Sequence, residues 1–117
     1  MKALGGVVAI VTNRADFVCE ETRGNLRKLE VPFDVVLCKP EGVSDKNPRF
    51  ESVAAGTAAP GLAPAEVVAF VGDNIRDFPH LDQKVRLEGE GALGDFGRRF
   101  IIIPNPLYGS WEANPYR

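Results

Sequence analysis

Four short runs of mainly apolar residues are spread along the chain. They cover positions 7–11, 34–38, 67–71 and 100–103. Continuous apolar runs of this length are typical of strands buried on both faces, as in a parallel sheet that is covered by helices. The pattern therefore predicts four buried strands.

The segments between these runs predict two helices. Residues 15–30 carry apolar side chains at helical spacing, and Thr12 or Asn13 can cap the first turn. Residues 48–55 begin with a proline, which suits the first turn of a helix. Strands that alternate with helices predict an α/β fold with right-handed crossovers, in a single domain over residues 1–117.

The composition argues against two classes of binding partner and does not indicate the cellular compartment. The net charge of -2 gives no electrostatic reason to expect binding to nucleic acid or to an anionic membrane, and the apolar runs are too short to span a bilayer. Met1 leads within a few residues into the first run, so no signal peptide is expected in this sequence. Cys19 and Cys38 have neither the spacing of metal ligands nor the density of a disulfide scaffold, which predicts two small buried side chains.

Polar residues follow the first two apolar runs, at the strand ends where ligands bind in parallel α/β sheets. The hydroxyl of Thr12, with Asn13 beside it and a helix start behind it, can hold an anion. The alternative is that both residues only cap the helix. Lys46 and Arg49 come after the second run. A lysine just before a helix can balance phosphate charge, and the alternative is a solvated surface lysine.

The third run ends in the segment Gly72-Asp73-Asn74-Ile75-Arg76-Asp77-Phe78, which we name the acidic loop. Its two carboxylates, Asp73 and Asp77, can direct oxygens at one hard cation such as Mg²⁺. Gly72 at its entry would let the backbone turn sharply. The alternative is a polar turn in which Asp77 is a helix N-cap.

An aromatic loop follows the fourth run. Tyr108 and Trp111 flank Gly109 and could form a wall for a flat substrate group, or could pack against the body of the domain. A hydroxyl, a lysine, an acidic turn and an aromatic loop on successive strand ends jointly predict one shared site.

These motifs, in this order, resemble the second, third and fourth motifs of the haloacid dehalogenase (HAD) superfamily. The closest resemblance is to the class C bacterial acid phosphatases, also called the lipoprotein type, which are phosphomonoesterases and 5′-nucleotidases. They are grouped in an acid phosphatase family described as class B-like. Residues 11–14 resemble the second motif, Asp45-Lys46 with Arg49 the third, and the acidic loop the fourth. Residues 96–112 are similar to the C-terminal signature of the family, so the resemblance covers nearly the whole chain.

The resemblance implies a Rossmann-like HAD core, with a mostly parallel sheet, flanking helices and a Mg²⁺ cofactor. Asp73 would ligate Mg²⁺, and Asp77 would hold a metal-bound water or orient its neighbours. Thr12 would hydrogen-bond the transferring phosphoryl group with Asn13 beside it, and Lys46 would neutralise charge between phosphate and nucleophile. The implied chemistry is carboxylate attack on phosphorus, followed by hydrolysis of the acyl phosphate.

The resemblance also implies a substrate-binding set. Tyr108 would stack on a base or an aromatic leaving group, and Arg49 and Asn74 would belong to the same set. The implied partner is a small phosphate monoester, such as a nucleoside monophosphate, or free phosphate. No nucleic-acid partner is implied.

The first motif of the superfamily has no counterpart in this sequence. That motif is an Asp-x-Asp pair on the central strand, and no two aspartates of this chain have that spacing, so no residue is assigned as nucleophile. We expect a sheet without the central strand, in which the runs 7–11 and 67–71 pair directly, leave a slot or accept a strand from elsewhere. Exposed apolar strand edges favour association, so a homo-oligomer or a partner that supplies the missing half is expected.

A fragment with no function of its own and a different haloacid dehalogenase activity, such as phosphotransfer, remain open beside two main functions. The first is acid phosphatase-like hydrolysis of phosphate monoesters in a complete form of the protein. The second is that of an inactive, truncated paralogue that binds Mg²⁺, phosphate or a partner chain without turnover.

Overall fold

The computed structural model describes residues 2–115 and has an α/β architecture of short parallel sheets and helices. The chain divides into two compact units, one ending at Ala65 and the other beginning at Glu66. The predicted fold class and the predicted parallel pairing of strands are confirmed. The single domain predicted over residues 1–117 stays a prediction. No helix in the described part of the chain is long and apolar enough to cross a membrane.

The first unit is a β-α-β arrangement followed by a second helix. Its elements are β1 (Ala9–Ala15), α1 (Cys19–Lys28), β2 (Val35–Lys39) and α2 (Asn47–Ala54), with 3₁₀ turns at Lys2–Leu4 and Asp16–Val18. α1 contacts both strands, and α2 contacts β1. Because β1 and β2 are parallel, the chain has to cross over between them, and α1 forms that crossover.

β1 contains a bulge that the apolar run did not predict. Residues 9–11 pair in regular register with residues 35–37 of β2, and the next pair is Ala15 with Lys39. β1 therefore advances four residues where β2 advances two. Residues 12–14 lie inside β1 on this bulge, and not beyond the end of the strand as the sequence predicted. Bulges of this kind re-aim side chains next to functional sites.

α1 is shorter at both ends than the helix predicted over residues 15–30. It begins at Cys19 after a 3₁₀ turn, and the residues at the two N-cap positions make no side-chain cap. The predicted caps from Thr12 or Asn13 are wrong, because both residues lie on the bulge of β1. The helix ends in a Schellman motif with Glu30 in the left-handed region at a φ of 55°.

A disulfide bond between Cys19 of α1 and Cys38 of β2 lies at the centre of the core of the first unit. The two cysteines are 4% and 6% exposed and pack with Val36, against which Ile10 and Leu26 also lie. The predicted burial of both side chains is confirmed. Their covalent link was not predicted, because two cysteines at a separation of 19 positions give no pattern from which a pairing can be inferred.

The second unit has the shorter strands, and no α-helix among its described residues. Its elements are β3 (Phe70–Gly72) and β4 (Phe100–Ile102), with 3₁₀ turns at Ile75–Asp77, Gln83–Leu87, Glu90–Leu93 and Ser110–Ala113. The strands pair in parallel with Phe70 opposite Phe100. β3 covers only the end of the predicted run 67–71. Upstream of β3, the Val67 carbonyl accepts a hydrogen bond from the Arg99 side chain at 2.9 Å.

An aromatic cluster forms the core of the second unit. Phe78 is 1% exposed, and its ring centroid lies 5.0 Å from that of Phe96 and 5.1 Å from that of Phe100. Phe70 contacts Phe100 edge-on at 5.7 Å. Because Phe78 is the last residue of the acidic loop, this cluster anchors the loop to β4.

The strands of the second unit are not buried on both faces, contrary to the prediction. Val71 is 60% exposed, Ile101 41% and Ile102 50%. β3 and β4 form a two-stranded sheet, and no helix of the described part of this unit covers it. Most of β2 is buried by contrast, because α1 packs against it.

Candidate functional site

The phosphate-binding residues predicted in the first unit begin on the bulge of β1. Thr12 is half-buried, and its Oγ1 accepts a hydrogen bond from the backbone N–H of Arg14 at 3.2 Å. Asn13 is exposed, and its Nδ2 donates to Ser44 O at 3.0 Å. The bulge thus brings Asn13 to the segment that precedes α2.

Arg49, in the first turn of α2, joins these two polar segments. Its guanidinium donates to Thr12 O at 2.6 Å and to Asn13 Oδ1 at 2.7 Å. It also donates to Asp45 O at 3.1 Å and to Ser44 O at 3.4 Å. The side chain is 8% exposed, and the loss of water around it lowers the pKa of the guanidinium, which the charge of Asp45 opposes. Its contact with substrate stays a prediction, and the bonds that it makes connect β1 to α2.

Lys46 stands at the N-cap position of α2 and is half-buried. Its carbonyl accepts the backbone N–H groups of Arg49 and Phe50, so its backbone starts the helix. Beside it, Asp45 Oδ1 accepts the backbone N–H of Asn47 at 3.0 Å. The first unit thus carries four predicted site residues on two segments joined by hydrogen bonds. These residues are Thr12, Asn13, Lys46 and Arg49.

The acidic loop is held in shape by the side chain of its second aspartate. Asp77 Oδ2 accepts the backbone N–H of Asp73 at 3.1 Å and that of Asn74 at 3.0 Å. Asn74 Oδ1 in turn accepts the N–H of Arg76 at 3.1 Å, which completes a capping box around the 3₁₀ turn. The polar-turn alternative is therefore partly right, with Asn74 and not Asp77 at the N-cap position.

Gly72 is required by close packing and not by a left-handed turn. Its backbone is outside the left-handed region that several other glycines of the chain adopt. A Cβ at this position would overlap Cβ and Oδ2 of Asp77. The structural reason for the glycine is that its backbone leaves room for the Asp77 side chain.

The carboxylate of Asp73, directly after β3, meets the asparagine that follows β4. Asn105 Nδ2 donates to Asp73 Oδ2 at 2.7 Å, and Asn105 Oδ1 accepts the N–H of Leu107 at 3.1 Å. Asp73 is half-buried, and its Oδ1 accepts no hydrogen bond from the described residues. Parallel pairing brings the carboxyl ends of β3 and β4 to the same edge of the sheet, which accounts for this contact.

A chain of neutral, half-buried side chains joins the acidic loop to the C-terminal segment. Asn114 Nδ2 donates to Gln83 Oε1 at 2.7 Å, and Gln83 Nε2 donates to Ser110 Oγ at 2.9 Å. Ser110 Oγ donates to Asn74 Oδ1 at 2.8 Å. The Asn74 oxygen is thus bound within the protein, and its contact with substrate stays a prediction.

The two aromatic side chains after β4 are exposed. Tyr108 is 65% exposed and Trp111 41% exposed. A Cβ on Gly109 would approach the Trp111 indole too closely, which explains why a glycine separates the two rings. Tyr108 therefore does not pack into a core, and its stacking on a substrate stays a prediction.

The acidic loop offers oxygen ligands of the kind that Mg²⁺ takes. Asp73 and Asp77 supply two carboxylates, and within residues 2–115 no group of three or more His, Cys, Asp or Glu side chains could hold a metal. Mg²⁺ is often bound by one or two carboxylates and completes its shell with waters and substrate phosphates. Two carboxylates can form part of such a shell, and the binding of Mg²⁺ by Asp73 and Asp77 stays a prediction.

The sequence did not single out Asn105, Ser110 and Gln83, although all three contact the acidic loop or its partners. Asn105 carried a usable signal, because it follows the fourth apolar run as Asp73 follows the third. Gln83 and Ser110 carried none, since they are neutral residues 27 positions apart in irregular segments.

Comparison with known proteins agrees with the motifs. The family model of the HAD superfamily, subfamily IIIB (acid phosphatase), matches residues 1–111. The chain belongs to this acid phosphatase family, and the resemblance seen in the sequence is confirmed. No solved structure matches the chain.

Proposed function

We propose that this chain provides the phosphate-binding and metal-binding parts of an acid phosphatase-type phosphomonoesterase. The observation that carries the proposal is the acidic loop at the end of β3, where Asp77 and Asn105 hold the loop and the Asp73 carboxylate. Membership of the acid phosphatase family supports the same class of activity.

Asp73 and Asp77 would hold Mg²⁺, a cation that members of the superfamily generally use. Bound there, it would neutralise negative charge on the phosphoryl oxygens. Thr12 and Asn13 would bind the transferring phosphoryl group, and Lys46 would balance its charge.

The substrate in this proposal is a small phosphate monoester, such as a nucleoside monophosphate. The exposed ring of Tyr108 is available to stack on a base or an aromatic leaving group. Arg49 and Asn74 complete the substrate-binding set. Both already bind protein groups, so they would act mainly through the segments that they hold.

Turnover requires a nucleophile that this sequence does not contain. An aspartate would attack phosphorus with departure of the alcohol, and water would then hydrolyse the acyl phosphate with help from a second carboxylate. We propose that the Asp-x-Asp pair is supplied on a further strand, by another segment or another chain. The two-stranded sheet of β3 and β4 supports this proposal, because a further strand can pair with its edge and shield part of its exposed apolar side chains.

Restoring the missing pair tests the proposal. A strand-forming segment with Asp-x-Asp is fused to the chain, and hydrolysis of p-nitrophenyl phosphate and of a nucleoside monophosphate is measured with Mg²⁺. We expect activity only in the fusion, and we expect Asp73→Ala to lower it by roughly 100-fold. The matched control carries Asn-x-Asn in the same segment. No gain of activity over this control would contradict the proposal.

A non-catalytic binding protein is the second candidate, and it is favoured by the absence of an Asp-x-Asp pair from the 117 residues. In this role the chain would bind Mg²⁺ or phosphate without turnover. Calorimetry of the unmodified chain with each ligand, compared with Asp73→Ala, tests the idea. Binding heats that are lost in the variant would support it, and equal heats would exclude it.

A further inference from the structure

The two oxygens of the Asp73 carboxylate have different surroundings. Oδ2 is bound by Asn105 Nδ2 at 2.7 Å, whereas Oδ1 accepts no hydrogen bond from the described residues. A hydrogen bond from an amide to a carboxylate is charge-assisted and stronger than a neutral one. The bond to Oδ2 therefore determines where the second oxygen points.

Asn105 is itself held in place. Its Oδ1 accepts the N–H of Leu107, so both ends of its side-chain amide are bound and its orientation is determined. It lies three residues beyond the end of β4, whereas Asp73 comes directly after β3, and it is half-buried. A side chain fixed in this way can fix its neighbour in turn.

We propose that Asn105 is a positioning residue that orients Asp73 for a divalent cation. The inference rests on the proposed function and adds to it a residue that would act on a metal ligand and not on the metal.

A second contact connects the same C-terminal segment to the acidic loop. Ser110 donates to Asn74, and Gln83 and Asn114 continue this chain of hydrogen bonds. Tyr108 lies between Asn105 and Ser110 in the sequence. One C-terminal segment therefore carries Tyr108, which is proposed to stack on the substrate, and also Asn105 and Ser110, which hydrogen-bond to the acidic loop.

Mg²⁺ binding to the unmodified chain tests the role of Asn105 without any need for turnover. Asn105→Leu has nearly the shape of asparagine and removes the donor to Asp73 without adding a charge. It also removes the acceptor for the N–H of Leu107, but Leu107 is 82% exposed, so water can take that bond. Asn105→Ala removes the same bonds and most of the side chain. Asn25→Ala is the matched control, because Asn25 is an exposed asparagine on α1. The Mg²⁺ Kd is measured by calorimetry, and the urea unfolding midpoint is measured in EDTA.

We expect the Mg²⁺ Kd to rise about tenfold or more in both Asn105 variants. The midpoint of Asn105→Leu in EDTA should stay close to that of the unmodified chain, which a merely structural role would not predict. If Asn105→Ala does not fold, Asn105→Leu alone decides the question. An unchanged or lower Kd in Asn105→Leu would overturn the inference and leave the proposed function intact. Absence of Mg²⁺ binding by the unmodified chain would overturn the inference and the metal part of the proposed function together.

Discussion

Position 72 lies where β3 passes into the acidic loop, and the side chain of Asp77 packs directly against its α carbon. In Gly72→Ala, the added methyl group would displace Asp77 and break its hydrogen bonds to the backbone of the loop. We expect the free energy of unfolding to fall by about 1–3 kcal/mol, as for other overpacked sites. Urea unfolding measures this loss, and calorimetry should show weaker Mg²⁺ binding.

The matched control for this variant is Gly91→Ala. A Cβ at position 91 would meet no atom within 4 Å, and the position is not in the left-handed region. Equal unfolding free energies for the two variants would mean that the packing of Asp77 against Gly72 does not matter for stability.

Glu20 on α1 makes a stability contribution that depends on pH. It pairs with Arg23 at 3.2 Å and Arg27 at 3.3 Å, and hydrogen bonds from Arg27 first and Arg23 second lower its pKa from the ordinary value of 4.5. A carboxylate with a lower pKa in the folded state stabilises the fold above its unfolded pKa. That contribution is lost as the pH falls through the folded value. We expect Glu20→Gln to lower the urea midpoint slightly at neutral pH, with a difference that shrinks and disappears as the pH falls below 4.5.

Salt provides a second check on this contribution, because exposed ion pairs are screened. The difference between Glu20→Gln and the unmodified chain should shrink in high salt. Glu51→Gln, which removes a carboxylate from α2, is the control and should not show this pattern. A difference that grows below pH 4.5 would contradict the assignment.

The sequence could predict some residues of the candidate site and not others. Asp73 could be singled out because a charged side chain comes two positions after an apolar run. Asn105 comes two positions after the next run, but its side chain is neutral and therefore less conspicuous. The pairing of Ser110 with Asn74 could not be predicted. It depends on a turn between segments 36 positions apart, and neutral polar residues carry no local signal of their partners.

The disulfide bond ties α1 to β2 in the core of the first unit. It closes a loop with a sequence separation of 19, for which the chain-entropy model gives a stabilisation of roughly 3 kcal/mol. We expect dithiothreitol, or the double variant Cys19→Ser/Cys38→Ser, to lower the free energy of unfolding by about that amount. Urea unfolding with and without the reductant measures the loss.

The double variant is also the control for the reductant. Dithiothreitol should not change its unfolding midpoint, because it has no disulfide to reduce. Thiol titration of the unmodified chain unfolded without reductant should find no free cysteine. Two titratable thiols in the oxidised preparation would contradict the bond.

The strands and helices were predicted well in kind and less well in extent. The runs at 34–38 and 100–103 match β2 and β4 closely, because short runs of β-branched and aromatic residues favour strands. β1 was misjudged since a bulge keeps polar residues within the strand. The predicted helix over residues 15–30 was too long, because a 3₁₀ turn opens it and a Schellman motif ends it. Neither feature alters the periodicity of the apolar residues.

Within residues 2–115, the first unit holds the parallel pair β1 and β2, and the second unit holds the parallel pair β3 and β4. The apolar runs predicted α/β architecture and parallel pairing, because both follow from local pattern and connection length. The number of strands in each sheet could not be predicted in this way, since it depends on which strands meet in space. The absence of an Asp-x-Asp pair from the sequence led to the expectation of a sheet without the central strand, and that expectation stays a prediction.

Short sheets with exposed apolar residues are expected to associate. Val71, Ile101 and Ile102 are all more than 40% exposed on β3 and β4, and a two-stranded sheet is marginally stable without a further strand or a covering helix. We therefore expect the unmodified chain to associate as its concentration rises, which sedimentation velocity measures.

Two substitutions and one addition separate strand pairing from general hydrophobic association. Ile102→Lys places a charge on β4 and should weaken association, because lysine on an edge strand opposes pairing with another strand. Leu107→Lys removes an apolar side chain that is 82% exposed outside any strand, and it should have little effect. The segment that carries Asp-x-Asp should dissociate the assembly, since its strand would occupy the surface through which copies pair. A chain that sediments as a monomer at every concentration, or equal effects of the two lysines, would rule out pairing through β4.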